Sequence, residues 1–282
     1  MPNLTENQIK AIKLLSIFKY LSSSQFVKMG VFKKRSYLTN SLKILLDTKN
    51  PLISKHDFNP INGKLESFYY LTKYGKRFLI NECEYDETQI KVPSGVNQIY
   101  LKDYFHRKYT IDFHIAFRQW VESQEGQVDF LNYYFDKAGN NRSGNDYVTA
   151  LNKIQLDESI SFIPDINAKF TINDKKDLFL LEQHNGNDSK RLFEQLYVHI
   201  HAILKQAVSL KYDYKKPYKV VIVCEERSVK DSVIKRLAKV QGIEHYNNFF
   251  IFKTNDELEE DFYTNWTLIN REKTNFFTKN PK

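Results

Sequence analysis

Two short segments carry residue types from which a phosphodiester-cleaving centre could be built. Pro164-Asp165 and Glu182-Gln183-His184 sit beside apolar runs, and the stretch between them contains the turn-prone Asn173-Asp174-Lys175-Lys176. Metal-dependent phosphodiester cleavage needs carboxylates converging on a divalent cation, which positions a water and neutralises charge developing on the scissile phosphate. The apolar runs 161–170 and 177–184 read as the buried strands of a hairpin with one acid on each. Alternation along the second strand places Glu182 and His184 on one face and Gln183 on the other. A plainer reading makes Asp165 and Glu182 solvated groups at strand exits.

Positioning such residues requires a sheet, and the surrounding pattern predicts one. Segment 101–122 is amphipathic, with Tyr104, Phe105, Ile111, Phe113, Ile115, Phe117 and Trp120, and predicts a long helix. Strands are expected at 128–135, 147–156, 161–170 and 178–182. After Asn185-Gly186, a helix is expected over 189–210, because Leu192, Leu196, Ile200, Ile203, Leu204 and Val208 keep helical spacing. A fully apolar strand at 219–224, a helix at 229–240 and a strand at 249–252 complete an α/β domain with a mixed sheet flanked by helices.

The first 80 residues read differently. Thr5 can cap a helix carrying Ile9, Ile12, Leu15 and Ile17, and Ser22 to Ser24 can cap a short second helix with Phe26 and Val27. Gly30 marks a turn before a third helix over 33–47, whose inner face holds Leu38, Leu42, Leu45 and Leu46. Leu52-Ile53-Ser54 and Ser67-Phe68-Tyr69-Tyr70-Leu71 flank a turn containing Asn59 to Gly63, as in a two-stranded wing, and 72–79 reads as a closing helix. This order fits a winged helix-turn-helix. In such a domain Lys33, Lys34, Arg35 and Lys43 would contact phosphate, and the third helix would present Ser36, Tyr37 and Asn40 outward, Tyr37 and Asn40 within reach of base edges. Lys64 in the wing could touch a neighbouring groove. A winged helix can equally serve as a protein-interaction or dimerisation module.

Charge separates the two parts. Residues 1–80 hold 14 Lys and Arg against 4 Asp and Glu, while the other 202 hold 28 against 30, so the whole formal charge of +8 comes from the N-terminal part. A basic module joined to a near-neutral body suits attachment to a polyanion. Residues 81–97, with Glu82, Glu84, Asp86, Glu87, Pro93 and Gly95, read as a linker, giving domains at 1–80 and 98–282. With 41% hydrophobic and 15% aromatic residues the 282-residue chain should fold. No run approaches a membrane span, and Met1-Pro2-Asn3-Leu4-Thr5-Glu6 lacks the layout of a signal peptide, so a cytoplasmic location is expected. Cys83 and Cys224 are too few for a zinc ribbon or a disulfide framework and read as inert thiols.

The element order and the two acids resemble the PD-(D/E)XK nuclease superfamily, with Asp165 and Glu182 at its carboxylate positions. A basic winged helix, then a helix containing His106-Arg107-Lys108-Tyr109-Thr110-Ile111-Asp112, then Pro164-Asp165 and a hydrophobic strand ending in Glu182, is similar to the replication-relaxation family and to MobC-type plasmid mobilisation relaxases over about residues 5–270. The resemblance implies that Asp165 and Glu182 bind Mg²⁺ or Mn²⁺ and support nicking of duplex DNA at a plasmid origin. Other mobilisation or replication proteins would be partners, no membrane is involved, and a homodimer is left open. His184 departs from the superfamily lysine. It could act as base or further ligand, with Lys190 replacing the missing cation. The same change could mark a nuclease fold that binds origin DNA without cutting it, and a toxin-like or restriction-type endonuclease is a further alternative.

His199-Ile200-His201 spells the alternating-histidine string of relaxases and rolling-circle initiators that act through a tyrosine. That chemistry needs a strand, whereas helical spacing sets residues two apart about 200° from each other. His199, His201 and Tyr197 therefore read as ordinary helix residues. His106 and Asp112 could border the acids, although His106, His114 and His245 are simplest as structural histidines. Glu225, Glu226 and Arg227 read as a solvated rim. No Gly-rich loop ending in Gly-Lys-Ser or Gly-Lys-Thr follows a strand, which argues against P-loop nucleotide hydrolysis.

Overall fold

The computed structural model describes residues 4–58, 65–93, 99–138 and 149–277, apart from the side chains of Arg35 and Ala138. The chain forms two compact units, Met1–Ile115 and Ala116–Lys282.

In the N-terminal unit, α1 (Glu6–Phe18) starts at a capping box in which Thr5 and Gln8 exchange side-chain and backbone hydrogen bonds. It buries Ala11, Ile12, Leu15 and Phe18. β1 (Leu21–Ser22) leads to α2 (Ser23–Lys28), where Ser22 and Gln25 form a second capping box. Gly30, at φ 66°, supplies the left-handed turn before α3 (Arg35–Leu46), which buries Leu38, Leu42 and Leu45. β2 (Ile53–His56) and β3 (Phe68–Leu71) pair antiparallel, and β1 adds to β3, giving the sheet order β1-β3-β2. Thr72 caps α4 (Lys73–Cys83) through Tyr74 and Gly75. This helix is longer than the spacing predicts. Part of the expected linker is also packed, because Ile90 is buried and the Lys91 N–H donates to the Ser16 carbonyl at 2.9 Å.

α5 (Tyr104–Ser123) runs across the division between units. β4 (Gln127–Tyr133) follows, then β5 (Lys137–Ala138) paired with β6 (Thr149–Ala150), and β7 (Ile154–Gln155) paired with β8 (Ser161–Phe162). The expected strand at 147–156 is thus two short pieces, and Tyr147 and Val148 lie outside the described residues. β9 (Ile166–Ile172) and β10 (Lys175–His184) form a hairpin through Asn173 and Asp174, whose φ of 49° and 60° suit a tight two-residue turn. Next come α6 (Ser189–Leu204), α7 (Ala207–Tyr212), β11 (Lys219–Cys224), α8 (Arg227–Leu237), β12 (Phe250–Thr254), α9 (Asn255–Glu260), β13 (Trp266–Thr267) and β14 (Lys273–Thr274). The single helix expected over 189–210 breaks at Gln206, φ 52°, and α7 turns so that Lys211 Nζ donates to the Leu151 carbonyl at 2.8 Å.

The seven-stranded sheet has the order β14-β13-β12-β11-β10-β9-β4. β4, β9 and β10 are antiparallel, β10, β11 and β12 are parallel, and β12 to β14 return antiparallel. This is an α/β architecture with a mixed sheet. One face carries Leu178, Leu180, Val220, Ile222, Phe250 and Phe252 against Leu192 and Leu196 of α6 and Val229 and Val233 of α8. Phe117 and Trp120 of α5 contact Phe170 and Phe276, and Phe117 also reaches Phe179, in edge-on and tilted ring pairs that add specificity to apolar burial. Among the described residues no helix is long and apolar enough to cross a membrane.

Candidate metal centre

Pro164 sets the local geometry. It has no N–H to give to a sheet ladder, so the expected continuous strand 161–170 divides into β8 and β9 around it. Its carbonyl instead accepts from the buried Asn152 side-chain amide. The Asp165 N–H donates to the Leu181 carbonyl at 2.9 Å, while Leu181 is also the register partner of Ile166. Two residues therefore oppose one, the pattern of a bulge, which re-aims a side chain at the end of a strand pair. The redirected carboxylate closes the gap in the ladder: Asp165 Oδ2 accepts the Gln183 N–H at 2.7 Å.

Glu182 lies on the opposite strand of the same pair, with its side chain on the face that α6 covers. There His199 Nε2 is 2.7 Å from Glu182 Oε1. Gln183 points to the other face and donates to Asn255 Oδ1 at 3.2 Å. Asp165 is 8% exposed, Glu182 6%, His184 6% and His199 fully buried, so the reading of solvated acids at strand exits is overturned. The reason is the layering: α6 seals one face and the β7–β8 hairpin contributes Phe162, whose ring meets His199 edge-on at 4.8 Å. Burial pushes the His199 imidazole down to about 3, against the opposing pull of the Asp165 charge, so the ring is neutral at ordinary pH.

His184 occupies the last position of β10 on the Glu182 face, and its carbonyl accepts from the Glu225 N–H at 2.9 Å. Lys190 does not join this group. Its side chain is 75% exposed and its ammonium pairs with Glu194 at 3.9 Å, one helical turn away. The first turn of α6 is capped by Asp188, which accepts from the backbone of Lys190 and Arg191 and is held below the usual carboxylate range mainly by the Arg191 bond. Glu225, expected as a solvated rim group, accepts from the Gly186 N–H at 2.9 Å. Among the described residues no set of three or more His, Cys, Asp or Glu side chains is arranged to hold a metal ion. The donor chemistry is two carboxylates, Asp165 accepting from the Gln183 N–H and Glu182 facing His199 Nε2. The Gln183 carbonyl points the same way along the strand as its N–H, toward Asp165.

His199 is the residue that sequence reasoning passed over. Rejecting the alternating-histidine string as a strand motif agrees with the helix found there, yet His199 alone sits on the apolar stripe, seven residues after Leu192. A polar side chain on a core-facing stripe near a strand with an acid was the available signal. His201 is exposed on α6. Asp112 accepts from Gln25 Nε2 at 3.1 Å and Lys108 Nζ at 3.4 Å, and the His114 ring lies against Phe18 at 4.4 Å, all within the N-terminal unit.

On α3, the side chains of Ser36, Tyr37, Asn40 and Lys43 are exposed, as are those of Lys33 and Lys34 just before it. Tyr37 is 61% exposed and Ile44, two turns on, 53%, so this helix presents large side chains to solvent that the hydrophobic pattern did not single out. The Arg35 side chain and Lys64 lie outside what the structure describes. Comparison with known proteins found no matching family model, no matching curated protein and no matching solved structure.

Proposed function

We propose that the chain is a DNA-processing protein of plasmid mobilisation or replication, which grips duplex DNA through its basic N-terminal unit and nicks it at a divalent-metal centre in the C-terminal unit. The observation that carries this reading is that Asp165 and Glu182 are both buried on adjacent strands, with Asp165 accepting from the N–H of Gln183, the residue after Glu182. The order α5-β4-β9-β10-α6-β11, three antiparallel strands and then a helix returning to a parallel strand, supports a PD-(D/E)XK-like core. A winged-helix reading of the N-terminal unit is supported by α1 to α4, the sheet β1-β3-β2 and the exposed face of α3.

Mg²⁺ or Mn²⁺ fits this donor set, since such hard cations are held by one or two carboxylates together with waters. Asp165, Glu182 and the Gln183 carbonyl would hold it. When bound, the cation would supply charge neutralisation at the phosphate and an acidified water. Asp165 ties the strand ends together through the Gln183 N–H. His184, on the same face as Glu182, would hold or pass a proton at its imidazole. A non-catalytic origin-binding role is the second reading, favoured by the imidazole at position 184 and by the pairing of Lys190 with Glu194.

The test is incubation of the purified protein with supercoiled plasmid carrying its neighbouring non-coding DNA, in Mn²⁺, Mg²⁺ or chelator, beside Asp165→Ala and Glu182→Ala. Metal-dependent nicking by wild type alone supports the nuclease. Binding without cleavage supports the origin-binding role, and cleavage at many unrelated sites supports a restriction-type endonuclease. Should about five phosphates be contacted, log affinity falls with log salt at a slope of roughly −4 to −5. A flat dependence refutes DNA attachment through the basic unit.

A further inference from the structure

We propose that the N-terminal unit binds a small aromatic carboxylate in a cavity between α4 and the chain that links α3 to β2. The inference lies outside the nuclease reading and holds whether or not the protein cuts DNA.

The cavity has a volume of about 480 Å³, within the usual range of small-molecule sites. One wall is a single helical face, because Tyr74, Arg77, Phe78 and Asn81 of α4 recur at i, i+3, i+4 and i+7. A neighbouring face of the same helix, with Gly75 and Leu79, is the one that enters the core. Lys49, Asn50 and Leu52 form the other wall. The two walls are pinned at one end, where the Thr72 hydroxyl donates to the Pro51 carbonyl at 2.5 Å and the Thr72 N–H to the Leu52 carbonyl at 3.2 Å. From that pin α4 runs on past the opposite wall, and the cavity is the space between them.

The lining defines the ligand's chemistry. Lys49 and Arg77 both line the cavity, and no carboxylate does. Neither cation has a hydrogen bond or ion pair among the described residues, whereas Lys55 pairs with Asp57 and Lys76 with Glu87, both at 2.8 Å. Lys73, whose Nζ is 5.1 Å from the Tyr74 ring centroid, adds positive charge nearby. A guanidinium matches a carboxylate through two parallel N–H···O bonds, which selects an anion of that shape. Half-buried Tyr74 and Phe78, with buried Leu52, supply an apolar surface beside these charges. Neither ring packs against another ring among the described residues, whereas Phe18, Tyr20, Phe26 and Phe68 in the same unit all do. A solvated helix face would account for the cations but not for two unstacked rings around a concavity. A flat ring bearing one carboxylate meets both features, its body against Tyr74, Phe78 and Leu52 and its charge toward Arg77 and Lys49.

The experiment is isothermal titration calorimetry of the full chain with 2-naphthoate, the neutral 2-naphthamide and the cation 2-naphthylmethylammonium. The proteins are wild type, Arg77→Gln, Lys49→Gln and Asn81→Trp, each checked for folding by circular dichroism. All three positions are exposed, so the substitutions should leave the fold intact. Wild type should bind 2-naphthoate with a single saturable site, about tenfold or more tighter than the amide, because a hydrogen bond between charged groups is worth at least that factor. The cation should not bind. Arg77→Gln and Lys49→Gln should each weaken 2-naphthoate about tenfold or more and leave the amide near its wild-type affinity. Asn81→Trp, which sets an indole into the cavity, should weaken both. Should it disturb the fold, Asn50→Trp on the opposite wall carries the same test. Equal affinity for the three compounds overturns the selection of a carboxylate. Unchanged 2-naphthoate affinity in Arg77→Gln and the Trp variant places the site elsewhere and overturns the proposal. Absence of binding at millimolar 2-naphthoate also overturns it, and weaker duplex-DNA binding by Lys49→Gln and Arg77→Gln would then make these cations phosphate contacts.

Discussion

Acidification should destabilise the C-terminal unit through one buried imidazole. In the unfolded chain His199 takes up a proton below its ordinary value of 6.5, whereas burial keeps the folded ring neutral down to about 3. The folded value is the lower of the two. Stability is therefore complete above pH 6.5 and is lost as pH falls through the window from 6.5 to 3, because only the unfolded state binds the proton there. Between pH 7 and pH 5 this linkage amounts to about 2 kcal/mol. With a urea slope of about 2 kcal/mol per molar, the midpoint should drop by about 1 M. Both tryptophans, Trp120 and Trp266, belong to the C-terminal unit, so their fluorescence reports its unfolding. His199→Asn should lack this component, and every other side chain is common to both proteins. The reasoning is refuted if wild type and His199→Asn lose equal stability between pH 7 and pH 5. It is also refuted if wild type gains stability on acidification, as a buried His199–Glu182 ion pair would produce.

Other perturbations test the scaffold. A Cβ on Gly75 would stand 2.1 Å from the Leu52 carbonyl oxygen and 2.9 Å from Leu71 Cδ2, so Gly75→Ala should cost about 1–3 kcal/mol by overpacking, seen as a lower melting temperature; an unchanged melt sinks the close-approach argument. Asp165→Ala strands the buried Gln183 N–H and should cost about 1–3 kcal/mol, while Asp165→Asn keeps an acceptor and should lie nearer wild type in urea titration; equal losses would show that the Gln183 bond contributes nothing. Cys224 is fully buried and its thiol is pushed up to about 12, whereas Cys83 is partly exposed. A thiol reagent should therefore modify Cys83 in the native protein and reach Cys224 only on unfolding, and fast labelling of both would contradict the packing of β11.

Much of the secondary structure was legible because its causes are local. Thr5 and Ser22 sit three residues before glutamines that complete their capping boxes, and the strand expected over 219–224 matches β11, whose apolar run follows Lys219. The misses have non-local causes. α6 and α7 share one unbroken helical spacing, yet the chain turns at Gln206 because α7 packs toward β7 and buries Ala207 and Val208. β13 and β14, two residues each, are too short for any periodicity, and they exist because β12 offers an edge beside buried Trp266. Lys190 is near His184 in sequence, but helix geometry turns it one turn along α6 to Glu194.

From residue order alone follow the mixed α/β class, the charge asymmetry and the facing of Glu182, since alternation and composition are properties of a chain's neighbours. Tertiary structure alone decided that the acids are buried, that a bulge beside Pro164 turns Asp165 onto the Gln183 N–H, and that the partner of Glu182 is His199, seventeen residues away on another element. Periodicity says which way a side chain points. What it meets there depends on how helices and strands pack, and packing is a property of the whole fold.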